Sequence, residues 1–126
     1  MRIADIEVLL FSCPTPPQHQ VATNSRRRIK TDAVIVRVGT DEGIYGLGEA
    51  SPYGGPERLK TTIEKELRPR FLGKNPFDVQ LLTRPWGLEP RSAHDMGLAG
   101  IDQALWDIIG KATGMPVYRL LETEGD

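Results

Sequence analysis

Few residues in this 126-residue sequence could act on another molecule, and they do not assemble into a catalytic set. The two histidines, His19 and His94, stand far apart, and Cys13, the only cysteine, cannot complete a Cys/His metal-ligand spacing. No activating base stands beside Cys13, so it reads as a packed or solvated thiol rather than a nucleophile. Glu49 is a lone acid at the end of a strand-like run, with neither a base partner nor co-ligands. Gly43, Gly46 and Gly48 lack the spacing of a phosphate loop, and no helix start follows them, which leaves them as hairpin glycines. What remains are polar groups suited to touching a ligand rather than transforming it. His19 lies in a long Pro-rich loop, where it either contacts a ligand or is simply solvated. Tyr53 lies between Pro52 and two glycines, where its ring either meets a ligand or packs on the adjoining helix. The run Arg26-Arg27-Arg28-Ile29-Lys30 has no stacking aromatics beside it, and the net charge is -1. Those features favour a solvated loop or an anchor for a substrate loop over a nucleic-acid site.

These groups must be positioned by the elements around them. Ile6, Val8 and Leu10 alternate with polar residues at the start of the run Ile3 to Phe11, the period of a half-buried strand. Thr31 to Gly39 is rich in β-branched residues and Ile44 to Glu49 follows a short acidic loop, together an antiparallel hairpin. The first fifty residues therefore predict a three-stranded meander. Gly46 and Gly48 leave bare backbone on its third strand, where a neighbour should pack closely. The connection from Ser12 to Ile29, about eighteen residues with Pro14, Pro16, Pro17, Gln18, Gln20 and Asn24, is long for a compact chain. A second loop, Ser51 to Gly55, leads to Pro56, a residue suited to the first position of a helix.

Three helical stretches follow. Leu59, Ile63 and Leu67 give the first its inner stripe, with Pro69 ending or kinking it and Phe71 and Leu72 folding back as an apolar plug. Asn75-Pro76-Phe77-Asp78 starts a shorter helix towards Pro85, expected to bury Phe77, Leu81 and Leu82. Ser92-Ala93-His94-Asp95 has the spacing of a capping box and opens the longest helix, which Gly114, Met115 and Pro116 stop. In that helix Ile101, Ala104, Leu105, Ile108 and Ala112 form a core stripe, while Leu98, Ala99, Trp106 and Ile109 widen the apolar arc past half the circumference. Gln103, Asp107 and Lys111 hold the polar remainder. A helix apolar on two sides requires two partners, and Trp106 and Ile109 are expected to face one outside these residues. Asp102 falls inside the broad arc, so it needs an arginine such as Arg2, Arg37 or Arg91, or acts as a first-turn acid.

Composition narrows the class. Apolar content of 39% and charged content of 26% are those of an ordinary globular domain. A near-neutral charge gives no reason to expect nucleic acid or an anionic membrane as partner. No internal disulfide can form, and acids interrupt the N-terminal run that a signal peptide would need, so the expected location is cytoplasmic.

The order and spacing of several segments are specific. They are Ile3 to Phe11, Val34-Ile35-Val36-Arg37-Val38, Asp41 to Ala50, Leu72 to Pro76, Ala99-Gly100-Ile101-Asp102-Gln103-Ala104-Leu105-Trp106-Asp107 with Gly110-Lys111, and Gly114 to Tyr118. In these the chain resembles the N-terminal capping domain of the mandelate racemase and muconate lactonizing enzyme group of the enolase superfamily. The resemblance implies an α+β fold, a three-stranded antiparallel meander followed by a bundle of about three helices, over residues 1–121. Residues 122–126 are then a polar tail where a barrel would begin, and the barrel itself is expected to be absent from these residues. In such enzymes the barrel binds Mg²⁺ and removes a proton alpha to a carboxylate, as in an acid-sugar dehydratase or racemase, and the cap closes two loops over the substrate. Carried onto this sequence, the substrate-loop candidates are Gln18, His19, Asn24, Arg26 and Tyr53. The resemblance implies no catalytic or metal-ligating residue here, Mg²⁺ only in a full-length relative, and no turnover by these residues alone. The expected partners are the missing barrel or a second copy of the chain, and, in a full-length relative, a small carboxylic-acid or acid-sugar substrate. A stand-alone interaction or dimerisation module without catalysis is the alternative.

Overall fold

The computed structural model of the protein describes residues 1–24, 27–52, 54–84 and 93–122. Alternation in the first fifty residues becomes strands β1 (Ile3–Pro14), β2 (Lys30–Thr40) and β3 (Tyr45–Ala50), joined as one antiparallel sheet in the order β1-β2-β3. Ile3, Ile6 and Val8 are all buried although Ile3 is out of phase with the other two. A register shift between Ile3 and Asp5 supplies the extra residue that turns Ile3 inward. Val34, Val36 and Val38 of β2 meet the core fully buried. At the β2–β3 turn the Thr40 amide and hydroxyl both donate to the Ile44 carbonyl, at 3.0 and 2.7 Å.

The helices lie on one face of this sheet. The first begins as α1 (Pro56–Thr62), widens into a π-helical segment (Ile63–Leu67) and closes as α2 (Arg68–Phe71). Pro69 thus does not end the helix. It has no N–H to give to the preceding turn, and the wider turn just before it accommodates the lost bond. Leu59, Ile63, Leu67 and Phe71 are buried, but Leu72 is exposed and takes no part in the plug.

A one-turn helix, α3 (Val79–Leu82), follows a 3₁₀ turn at Pro76–Asp78 that Asn75 caps by accepting the Phe77 amide at 3.1 Å. The burial expected of Phe77 and Leu81 is overturned: they are 47% and 67% exposed, while Pro76 and Val79 are buried. Three residues per turn in the 3₁₀ segment stack Pro76 over Val79, which shifts the inward face away from Phe77.

The long helix is α4 (Ala93–Thr113), and α5 (Val117–Leu121) folds back beside it, with the Met115 amide bonded to the Gly110 carbonyl at 3.1 Å. Leu98, Ile101, Ala104, Leu105 and Ile108 bury against the sheet and the first helix. Ala112 is exposed, because the helix has by then run past the sheet. Ile109 is only 5% exposed, so these residues cover it and the expectation of an outside partner for it fails; Trp106 remains half-buried. The N-cap expected at Ser92 and the tail residues from Thr123 onward lie outside the described residues. Among the described residues no helix is long and apolar enough to cross a membrane.

Candidate functional site

The two loops singled out in the sequence emerge at the same end of the sheet. β1 ends there, β2 begins there, and β3 ends there with Ala50 opposite Val34. β3 goes no further, but β1 and β2 continue as a two-stranded arm through the pairs Phe11↔Ala33, Ser12↔Asp32, Cys13↔Thr31 and Pro14↔Lys30. At 3.3 Å per residue the arm extends about 13 Å beyond the three-stranded sheet.

The connection expected as an irregular loop is partly ordered by its own backbone. The Thr15 amide bonds to the Ile29 carbonyl at 2.8 Å and the Arg28 amide to the Val21 carbonyl at 2.9 Å, and Ala22 bridges Arg27. Gln20 folds back so that its side-chain amide donates to the Thr15 carbonyl at 3.0 Å. Gln18 and His19 sit on a 3₁₀ turn at Pro17–His19, the sort of short turn that Pro17 pre-forms, and both are exposed. Asn24 lies farther along, also exposed. Arg26 and Tyr53 lie outside the described residues. In the second loop the Gly55 amide bonds to the Pro52 carbonyl at 3.0 Å. Gly54 and Gly55 have φ of 90° and 116°, values that require glycine at both positions.

Of the basic run, Arg27, Arg28 and Lys30 are all exposed. Arg27 and Arg28 are engaged through their backbones, and the Lys30 ammonium lies 3.2 Å from the Asp32 carboxylate. Asp32 also accepts the Ser12 hydroxyl at 2.5 Å. That hydrogen bond, assisted by Lys30, holds the Asp32 carboxyl below its ordinary value. Of this trio the sequence points only to Lys30, as the end of the basic run. The only signal for the other two was the strand alternation, which had to be extended past Phe11 to place Ser12 and Asp32 on one face.

Other expectations resolve elsewhere. Asp102 stands mid-helix, so it is no first-turn acid, and its carboxylate accepts the Thr83 hydroxyl at 2.7 Å. The hydroxyl of Thr83, the residue that follows α3, therefore supplies the hydrogen bond expected of an arginine; of the three named, Arg91 lies outside the described residues. His94 pairs with Glu66 at 2.6 Å and ties the start of α4 to the π-helical segment. Cys13 is exposed on the arm. Among the described residues no three His, Cys, Asp or Glu side chains come together in a way that could hold a metal ion. The described groups therefore do not fit a divalent ion. The described part of the arm connection carries exposed hydrogen-bonding side chains at Gln18, His19 and Asn24.

Residues 5–122 match the family described as mandelate racemase / muconate lactonizing enzyme, N-terminal domain. The chain belongs to this family. Within it the sequence is 40% identical over 95 residues to a D-galactonate dehydratase family member from Catenulispora acidiphila, covering 70% of this chain and 22% of that protein. It is 32% identical over 126 residues to the cis-3-hydroxy-L-proline dehydratase of Roseibium aggregatum, covering 96% of this chain and 34% of that one. A crystal structure of an enolase-superfamily member from Polaromonas sp. JS666 superposes with a TM-score of 0.84 at 34% identity, over 96% of this chain and 33% of that chain. The chain thus spans between 22% and 34% of the length of these relatives. The α+β meander-and-helices architecture is that of the superfamily's N-terminal domain.

Proposed function

We propose that this domain is the cap and substrate-specificity element of a Mg²⁺-dependent acid-sugar dehydratase or racemase of the enolase superfamily. On this reading the ion and the proton-abstracting base lie outside the described residues, and the domain has no turnover by itself. Its own work is to present Gln18, His19 and Asn24 from the arm, with Arg26 and Tyr53, to a small carboxylate and to exclude water around it. The observation that carries the reading is the shared placement of both candidate loops at one end of the sheet, one of them on a projecting arm. Dehydratases among the relatives supply the reaction class.

The test exchanges residues 5–122 into the Roseibium aggregatum dehydratase in place of its matched segment. A shift in the relative kcat/KM among carboxylic-acid substrates is expected, reverting when residues 12–29 are returned to that enzyme's own. Unaltered preference in an active exchange variant overturns the specificity role. For the domain alone, Mg²⁺-dependent dehydration that persists through removal of contaminating enzyme overturns its inactivity.

Exposed Met115, Tyr118 and Leu121 near the end of the chain, with half-buried Trp106, favour a second reading, a module that binds another copy or a partner. Sedimentation at micromolar concentration separates the two: a strictly monomeric, folded species counts against self-association.

A further inference from the structure

Once β3 stops at Ala50, the arm must hold its direction without a third strand, and the helices no longer cover it. Leu10 is 38% exposed, where Ile6 and Val8 on the same face of β1 are buried. A two-stranded ribbon without a core is marginal in water, so its course depends on whatever side chains bridge it. The pair directly beyond the last three-stranded position on the core-side row is Ser12↔Asp32, and the next on that row is Pro14↔Lys30. Asp32 joins all of this. Its carboxylate takes the Ser12 hydroxyl from across the ribbon at 2.5 Å and the Lys30 ammonium from its own strand at 3.2 Å. Its side chain is only 15% exposed on an otherwise open ribbon, against 47% for Lys30.

We propose that Asp32 is a positioning residue, a latch at the base of the arm that sets where Gln18, His19 and Asn24 are held, without touching the ligand itself. This rests on the capping role proposed above. The carboxylate suits the task because one oxygen accepts from both strands, and because two ionic or charge-assisted bonds oppose the swing of the ribbon in different directions.

Hydrogen exchange of the 126-residue chain tests the latch. In Asp32→Ala the Thr15 and Arg28 amides, which bond across the arm, should exchange roughly threefold to tenfold faster, while Val36, Val38 and α4 amides keep their rates. Asp32→Asn, which keeps an acceptor for Ser12, should recover part of that protection. Unchanged arm rates, or arm and core rates rising together, overturn the latch. In the exchanged Roseibium aggregatum enzyme, Asp32→Ala should raise KM severalfold with kcat held within roughly twofold. A loosened arm with unchanged KM overturns the positioning role while leaving the capping role standing. Indifference of KM to the combined Gln18→Ala, His19→Ala and Asn24→Ala substitutions overturns the capping role instead, and the positioning role with it, independently of the exchange result.

Discussion

The seam between α4 and β3 and the arm beyond it are built from the same sheet by opposite means. At the seam, backbone lies on backbone. A Cβ on Gly46 would overlap the Ala104 carbonyl and one on Gly48 the Gly100 carbonyl, while a Cβ on Gly100 would press on Val36 and Ala50. Side chains then seal the strand's free edge: Gln103 accepts the Glu49 amide at 3.1 Å, Asp107 the Leu47 amide at 2.9 Å, and Lys111 donates to the Tyr45 carbonyl at 2.8 Å. The arm has no such close backbone seam among its described residues; a ribbon ladder, the Asp32 bonds and the Gln20 bond to the Thr15 carbonyl hold it. The difference teaches where each part can change. The seam tolerates almost no new atom, whereas the arm can exchange its exposed residues with little effect on the fold, as the proposed specificity role requires.

Gly48→Ala is the harshest way to probe that contrast. It forces α4 off the strand and should destabilise the domain by about 3 kcal/mol or more, read from urea unfolding. Loss below about 1 kcal/mol would break the idea of a backbone-tight seam. Ile101→Ala, at a position with no exposure, should remove about 2–5 kcal/mol by leaving a cavity between helix and sheet. Gln103→Ala leaves the Glu49 amide to water or to another edge and should lose about 1 kcal/mol, with increased self-association in light scattering. On the arm, Gln18→Ala or His19→Ala should change stability by less than about 0.5 kcal/mol, since both are exposed.

Acid sharpens the same contrast. The Asp32 carboxyl is held below 3.8 when folded, so its contribution is present above the unfolded value and fades as pH falls through the folded one. Below about pH 3.8, then, arm amides should lose protection before those of β2 and α4, followed by exchange or by chemical shifts. Simultaneous loss would erase the distinction between the two regions.

Much of this architecture was legible in the residues themselves. The alternation of Ile6, Val8, Val34, Val36 and Val38 and the helical spacing of Ile101, Leu105 and Ile108 mark faces directly, because strand and helix periods fix which side chains share a side. Gly46 and Gly48 announced a close neighbour, and the ordered segments around them announced the family. Candidate-site residues were harder. Ser12 and Asp32 are distant in sequence and ordinary in type, and only the β1–β2 register makes them opposite.

What tertiary structure alone decided is which neighbour each face meets. Gln103, Asp107 and Lys111 read only as the polar remainder of α4, and the fold sets them to cap free amides and a carbonyl of β3. Asp102 and Trp106 share another side of α4, where Thr83, just after α3, answers the carboxylate, and Ile109 proves covered from within. Periodicity reports the polarity of a face through its side chains. The groups that a sheet edge presents are backbone N–H and C=O, identical at nearly every residue, so the sequence determines that a stripe is polar while the fold decides what it bonds.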